Sequence, residues 1–119
     1  MGFVAAGGLL GSAARTVIAT GMKVPEGELP IGTLLINLVG SFLLGLFLAR
    51  REKAVTWRWS LQFWGIGLLG SFTTFSAFSV EALRLFSLGD TVNATKYVAV
   101  SVVGGLACVI AGERIGERT

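Results

Sequence analysis

The chain has no histidine and a single cysteine, Cys108, among its 119 residues. A zinc site, a disulfide, a Cys–His nucleophile or a histidine general base lacks the residues it requires, so an enzyme is not the reading. Acid is scarce as well: of the long apolar segments, only the third holds a carboxylate, Glu81. A proton-coupled carrier working through an acidic relay needs more than that. The only prolines are Pro25 and Pro30, both between the first two apolar segments. Pro30 suits the start of a helix, where its missing N–H matters least. No repeat of roughly 20–50 residues and no low-complexity linker divides the chain, which reads as one domain over residues 1–119.

What the chain has in abundance is apolar surface. Its hydrophobic content is 53% and its mean hydropathy +0.75, above the roughly 45–50% of soluble domains. Residues 2–22, 31–49, 60–86 and 92–112 each approach or exceed the ~20 residues with which a helix crosses ~30 Å of hydrocarbon. The expected fold is an all-α membrane protein of four transmembrane helices, multi-pass in the cell membrane. The first segment is expected to be a transmembrane helix and not a cleaved signal, because no basic stretch precedes it and Arg15 interrupts it. The second has almost no charge to turn toward water, which excludes a soluble four-helix bundle.

The net charge of +3 comes largely from short links, with Arg50, Arg51, Lys53 and Arg58 together in the second. This is a juxtamembrane basic loop beside a lipid bilayer, not a nucleic-acid patch. With Arg114 and Arg118 these six sit on the side of the termini, against Lys23, Arg84 and Lys96, and against four if Arg15 snorkels to the same face. The bias favours cytoplasmic termini and is shallow enough to permit insertion both ways.

Polar residues recur within the spans at helical spacing. Gly7, Gly8, Gly11 and Ser12 form a small-residue ridge leading to Arg15, the one cation embedded in the first span. Arg15 is expected to be structural, to attract anions at an aqueous mouth, or to snorkel. Thr33, Asn37, Gly40, Ser41 and Gly45 fall near one face of the second helix, and Asn37 reads either as interhelical glue or as a donor facing a solute path. Tyr97 and Ser101, one turn apart in the fourth, extend a track of neutral donors. In the third, the stretch GSFTTFSAF at residues 70–78 carries hydroxyls on Ser71, Thr73, Thr74 and Ser76 among Phe72, Phe75 and Phe78. With Gly65, Gly67 and Gly70 this density is expected to interrupt the helix, which lipid tolerates only if protein or an ion satisfies the freed carbonyls. Amide, hydroxyls and aromatic ring edges suit a small, strongly hydrated anion, because they replace its water without trapping it on a fixed cation.

The segments GGLLGSAAR (7–15), GTLLINLVGSF (32–42) and GSFTTFSAF (70–78) together resemble the Fluc/CrcB family of fluoride channels, and the likeness covers essentially the whole chain. The resemblance implies passive export of F⁻ that enters as HF, dissociates in the cytoplasm and is trapped there. It implies an antiparallel, dual-topology homodimer with two fluoride pores and a structural, non-transported Na⁺ held at its centre by the Gly70 and Thr73 carbonyls. By the same resemblance Asn37 is the pore asparagine and Phe75 and Phe78 are the box phenylalanines, with Ser76, Tyr97 and Ser101 also on the fluoride pathway. Arg15 matches the motif arginine, and Glu81 follows the phenylalanine box near one vestibule. The chain departs from the family's common TTFSTF at Ala77, and Thr16 stands where an aromatic often follows the arginine. Two other readings remain: a small multidrug-type transporter, which wants a carboxylate where Arg15 lies, and a non-transporting membrane scaffold whose polar faces serve packing alone.

Overall fold

The computed structural model describes residues 2–22, 28–50 and 60–118, so Lys23, Pro25, Arg51, Lys53 and Arg58 lie outside the described residues, as does the side chain of Ser76. Every regular element among the described residues is helical. In chain order they are α1 (Gly2–Gly21), α2 (Ile31–Arg50), α3 (Leu61–Leu69), α4 (Gly70–Phe72), α5 (Phe75–Ser87) and α6 (Thr91–Arg118). Among the described residues four stretches are long and apolar enough to cross a membrane: Gly2–Gly21, Ile31–Arg50, Leu61–Ser87 and Thr91–Arg118. The last runs beyond the Gly112 boundary read from hydropathy. Hydropathy marks where hydrocarbon ends, whereas Glu113, Arg114, Glu117 and Arg118 are good helix formers that continue the coil. At about 1.5 Å per residue its 28 residues reach about 42 Å, enough to carry these charges past the hydrocarbon.

Glycines decide which helices touch. The most extensive contact joins α2 and α6, which run parallel. A β-carbon at Gly45 would fall on the Val109 carbonyl oxygen, and one at Gly112 on that of Phe42. The two backbones are thus as close as side-chain-free positions allow, the geometry by which helices associate when lipid offers no hydrophobic drive. The ridge of α1 packs in the same way on α3. There a β-carbon at Gly67 would lie 2.7 Å from the Val4 carbonyl oxygen and 3.0 Å from the α-carbon of Gly7. The coil of α3 is π-wound, bonding five residues back, as when Gly70 N–H donates to Gly65 O. A π coil is wider than an α coil, and the facing glycines give it room.

The α5–α6 turn is closed by backbone chemistry. Gly89 adopts φ 81°, a conformation that costs glycine little; its N–H donates to Phe86 O at 3.1 Å and the Asp90 N–H to Leu85 O at 3.1 Å. Asp90 then caps α6, its Oδ1 accepting from the Asn93 N–H at 3.2 Å and its Oδ2 from Asn93 Nδ2 at 2.7 Å. Against this hairpin Ala82, Leu85, Ala94 and Tyr97 form a buried cluster. Elsewhere large apolar side chains point outward, among them Leu9, Val17, Val103 and Leu106, as suits a molecule whose solvent is lipid.

The α2–α6 contact makes a direct prediction. Gly112→Val places methyl groups into the Phe42 backbone, and overpacking of this kind costs about 1–3 kcal/mol. Thermal denaturation in detergent is expected to show a lowered Tm for this variant, with Gly8→Val, a site with nothing within 4 Å, close to wild type.

Candidate functional site

Between α4 and α5 the chain leaves the helix for two residues. Thr73 (φ −79°, ψ 153°) and Thr74 (φ −147°, ψ 117°) are extended, which takes backbone groups out of the helical ladder within a stretch apolar enough to cross a membrane. Side chains from other helices meet them. The Thr74 N–H donates to Asn37 Oδ1 at 3.0 Å, and Asn37 Nδ2 donates to Thr74 O at 3.2 Å. One asparagine amide thereby pairs with one peptide in both directions, and the Thr74 N–H no longer serves the Gly70 carbonyl one turn back. From α1, Arg15 Nε donates to Ser71 O at 3.1 Å. Thr73 is held from behind, its N–H at 3.1 Å and its Oγ1 at 3.0 Å both donating to Leu69 O. Thr74 starts α5, its Oγ1 accepting from the Ala77 N–H at 3.3 Å.

Beside these residues lies a cavity of about 380 Å³, lined by Asn37, Gly40 and Ser41 of α2, Gly65, Leu69 and Gly70, Thr73 and Thr74, Phe75 and Phe78, and Ser101 of α6. Its lining is neutral. The Ser101 hydroxyl is buried without a hydrogen-bond partner among the described residues, and the Asn37 amide keeps one N–H after serving Thr74. Phe75 is 80% exposed and meets Phe78 with ring centroids 5.8 Å apart, and Phe78 meets Tyr97 at 5.3 Å. A row of three rings therefore leads from the cavity mouth into the α5–α6 core.

At the inner end of that row stands Glu81. Tyr97, 1% exposed, donates its hydroxyl to Glu81 Oε2 at 2.8 Å. Thr33, 7% exposed, donates to Glu81 Oε1 at 2.9 Å. A carboxyl group inside a span needs such donors, because an unmatched polar group there is costly.

Of the residues singled out in the sequence, Asn37, Gly70, Thr73, Phe75, Phe78 and Ser101 meet at one cavity. Tyr97 and Glu81 sit behind Phe78, and Arg15 lies across α4 at the Ser71 carbonyl rather than on the cavity wall. Ser76 lies on α5, with its side chain outside the described set. Thr33, Gly40, Ser41 and Thr74 complete the arrangement without having been named as site residues. The i, i+4 spacing of Thr33 and Asn37 was the available signal. Tyr97→Phe tests the inner cluster: it keeps the ring against Phe78 but leaves Glu81 Oε2 without its donor, a loss of about 1–3 kcal/mol. Denaturation is expected to show that loss, and Thr33→Val combined with it is expected to be non-additive because both bonds end on one carboxyl group.

The family described as CrcB-like protein, Camphor Resistance (CrcB), matches residues 2–113. The chain is 41% identical over 117 residues to a protein of Idiomarina loihiensis named fluoride-specific ion channel FluC, a match covering 98% of this chain and 91% of that one. Proteins of the same name from Saccharophagus degradans and Agrobacterium fabrum are 38% and 39% identical, each over 97% of this chain and over 87% and 94% of their own lengths. Four membrane-length helical stretches, a neutral cavity at an extended pair of threonines and likeness along nearly the full length converge, and the chain belongs to the CrcB family.

Proposed function

We propose that this multi-pass membrane protein is a fluoride-specific channel that lets F⁻ leave the cytoplasm passively across the cell membrane and so lowers fluoride toxicity. The observation that carries the reading is the neutral cavity, where the remaining Asn37 N–H, the Ser101 hydroxyl and the rings of Phe75 and Phe78 converge. Fluoride holds its water strongly, so a path for it must return hydrogen-bond donors at every step. Amide and hydroxyl donors do so, and ring edges carry partial positive charge. None of these groups is a fixed cation, so the ion is met without being held too tightly to leave. Passive flow suffices because HF crosses lipid uncharged while F⁻ does not.

The working unit in this reading is an antiparallel, dual-topology homodimer. A ring as exposed as Phe75, together with the outward Val80, Leu83 and Phe86 on α5, supports a second copy over this face, and the shallow charge bias supports insertion both ways. The reading includes a structural Na⁺, and the donor set fits one. Gly70 and Thr73 line the cavity, the Gly70 carbonyl has lost the Thr74 N–H to Asn37, and neutral carbonyl oxygens suit a hard monovalent cation. Those two carbonyls would hold it, and its charge would fasten the interrupted segment. One observation favours the packing-only reading, namely that Asn37 spends its oxygen and one N–H on Thr74. A scaffold of that kind conducts nothing.

Purified protein in liposomes loaded with fluoride, followed with a fluoride electrode beside a chloride control, separates the two. Fluoride release without chloride release is expected. Phe75→Ile is expected to cut it by at least about tenfold, the effect of ~1.4 kcal/mol on a barrier, while the protein elutes as wild type. Folded wild-type protein that releases no fluoride would leave the scaffold reading standing.

A further inference from the structure

Two residues of α2 act on the extended threonines, and only one does so with a side chain. Asn37 pairs with Thr74. Gly40, three residues on and therefore on the same helix face, meets Thr73 by having nothing there. A β-carbon at Gly40 would fall on the Thr73 Cγ2 methyl and would stand 3.4 Å from Phe72 Cδ1 and 3.7 Å from Thr73 Cβ. Gly40 and Phe72 are themselves buried, so the methyl occupies a fitted seat.

Thr73 cannot yield by turning its side chain. Its Oγ1 is committed to Leu69 O at 3.0 Å, and a β-branched residue is stiff at χ1. A group placed at position 40 would therefore move the Thr73 backbone, where the chain goes from helix to extended conformation. Displacing it disturbs the Gly70 and Thr73 carbonyls and the start of α5 that carries Phe75.

We propose that Gly40 is a positioning residue for the ion path: its bare backbone leaves the room that the Thr73 methyl occupies, and this clearance lets the extended segment take the course on which both the cation carbonyls and the phenylalanine pair depend. The inference rests on the fluoride reading. It assigns Gly40 no contact with the ion.

The test is a set of three variants in the same liposome assay, with size-exclusion elution as the check on folding. Gly40→Ala is expected to lower fluoride release by at least about tenfold, which corresponds to ~1.4 kcal/mol on the barrier. Adding Thr73→Ser, which deletes only the methyl and keeps the hydroxyl, is expected to restore release. Adding Thr73→Val instead, which keeps a methyl and deletes the hydroxyl, is expected not to. Should Gly40→Ala fail to fold, recovery of folded protein with serine and not with valine supports the seat, and recovery with neither overturns it. A conducting wild type with an equally conducting Gly40→Ala overturns the inference alone, as does failure of serine to restore release. A wild type without flux overturns the fluoride reading and the inference together.

Discussion

The reciprocal pair between the Asn37 amide and the Thr74 peptide is the contact on which the rest of the arrangement depends. In hydrocarbon a peptide that leaves the helical ladder finds no water, so two extended residues survive only where another group supplies the missing donor and acceptor. An asparagine side chain is itself an amide and supplies both. One turn earlier on α2, Thr33 bonds Glu81, seven residues after Thr74. The first two turns of α5 are therefore fastened to α2 at both ends, by side chains at i and i+4. Between those points Phe78 stacks toward Tyr97, which returns to Glu81 and brings α6 into the same frame.

Around that frame the helices hold together through absence of side chains. Carbonyl oxygens of Phe42 and Val109 face glycines across the α2–α6 seam, and those of Phe63 and Leu68 face Gly7 and Gly11 across the α1–α3 seam. Dispersion between close backbones replaces the hydrophobic drive that lipid removes. Both seams fix helices that contribute to the cavity wall, α2 and α6 on one side and α3 on the other. Arg15 supports the same region from the far side, where its Nε donates to the Ser71 carbonyl beside the extended pair.

The spans were legible in the sequence because apolar runs of this length have one common use, and Asn37 was legible because a mid-span amide is conspicuous where leucine would serve. Its double bond to Thr74 was not legible, since a donor facing a path and a donor facing a backbone leave the same letter in the sequence. Nor did the glycine-rich stretch reveal that Gly70, Ser71 and Phe72 stay helical while the residues after them extend. That outcome depends on α2 offering Asn37 at the right height. Glu81 stands out in the sequence as the acid of the third span, but its partners lie 48 and 16 residues away, and only the packing of α2 and α6 around α5 brings them together.

The turn at Gly89 has a consequence for biogenesis. Only Leu88, Gly89 and Asp90 separate α5 from α6, and the bonds that close the turn are local, available as soon as these residues are synthesised. The two helices can therefore enter the bilayer as a preformed hairpin, with no long polar loop to drag through hydrocarbon. The carboxylate at the tip of that hairpin travels with both oxygens already occupied by Asn93.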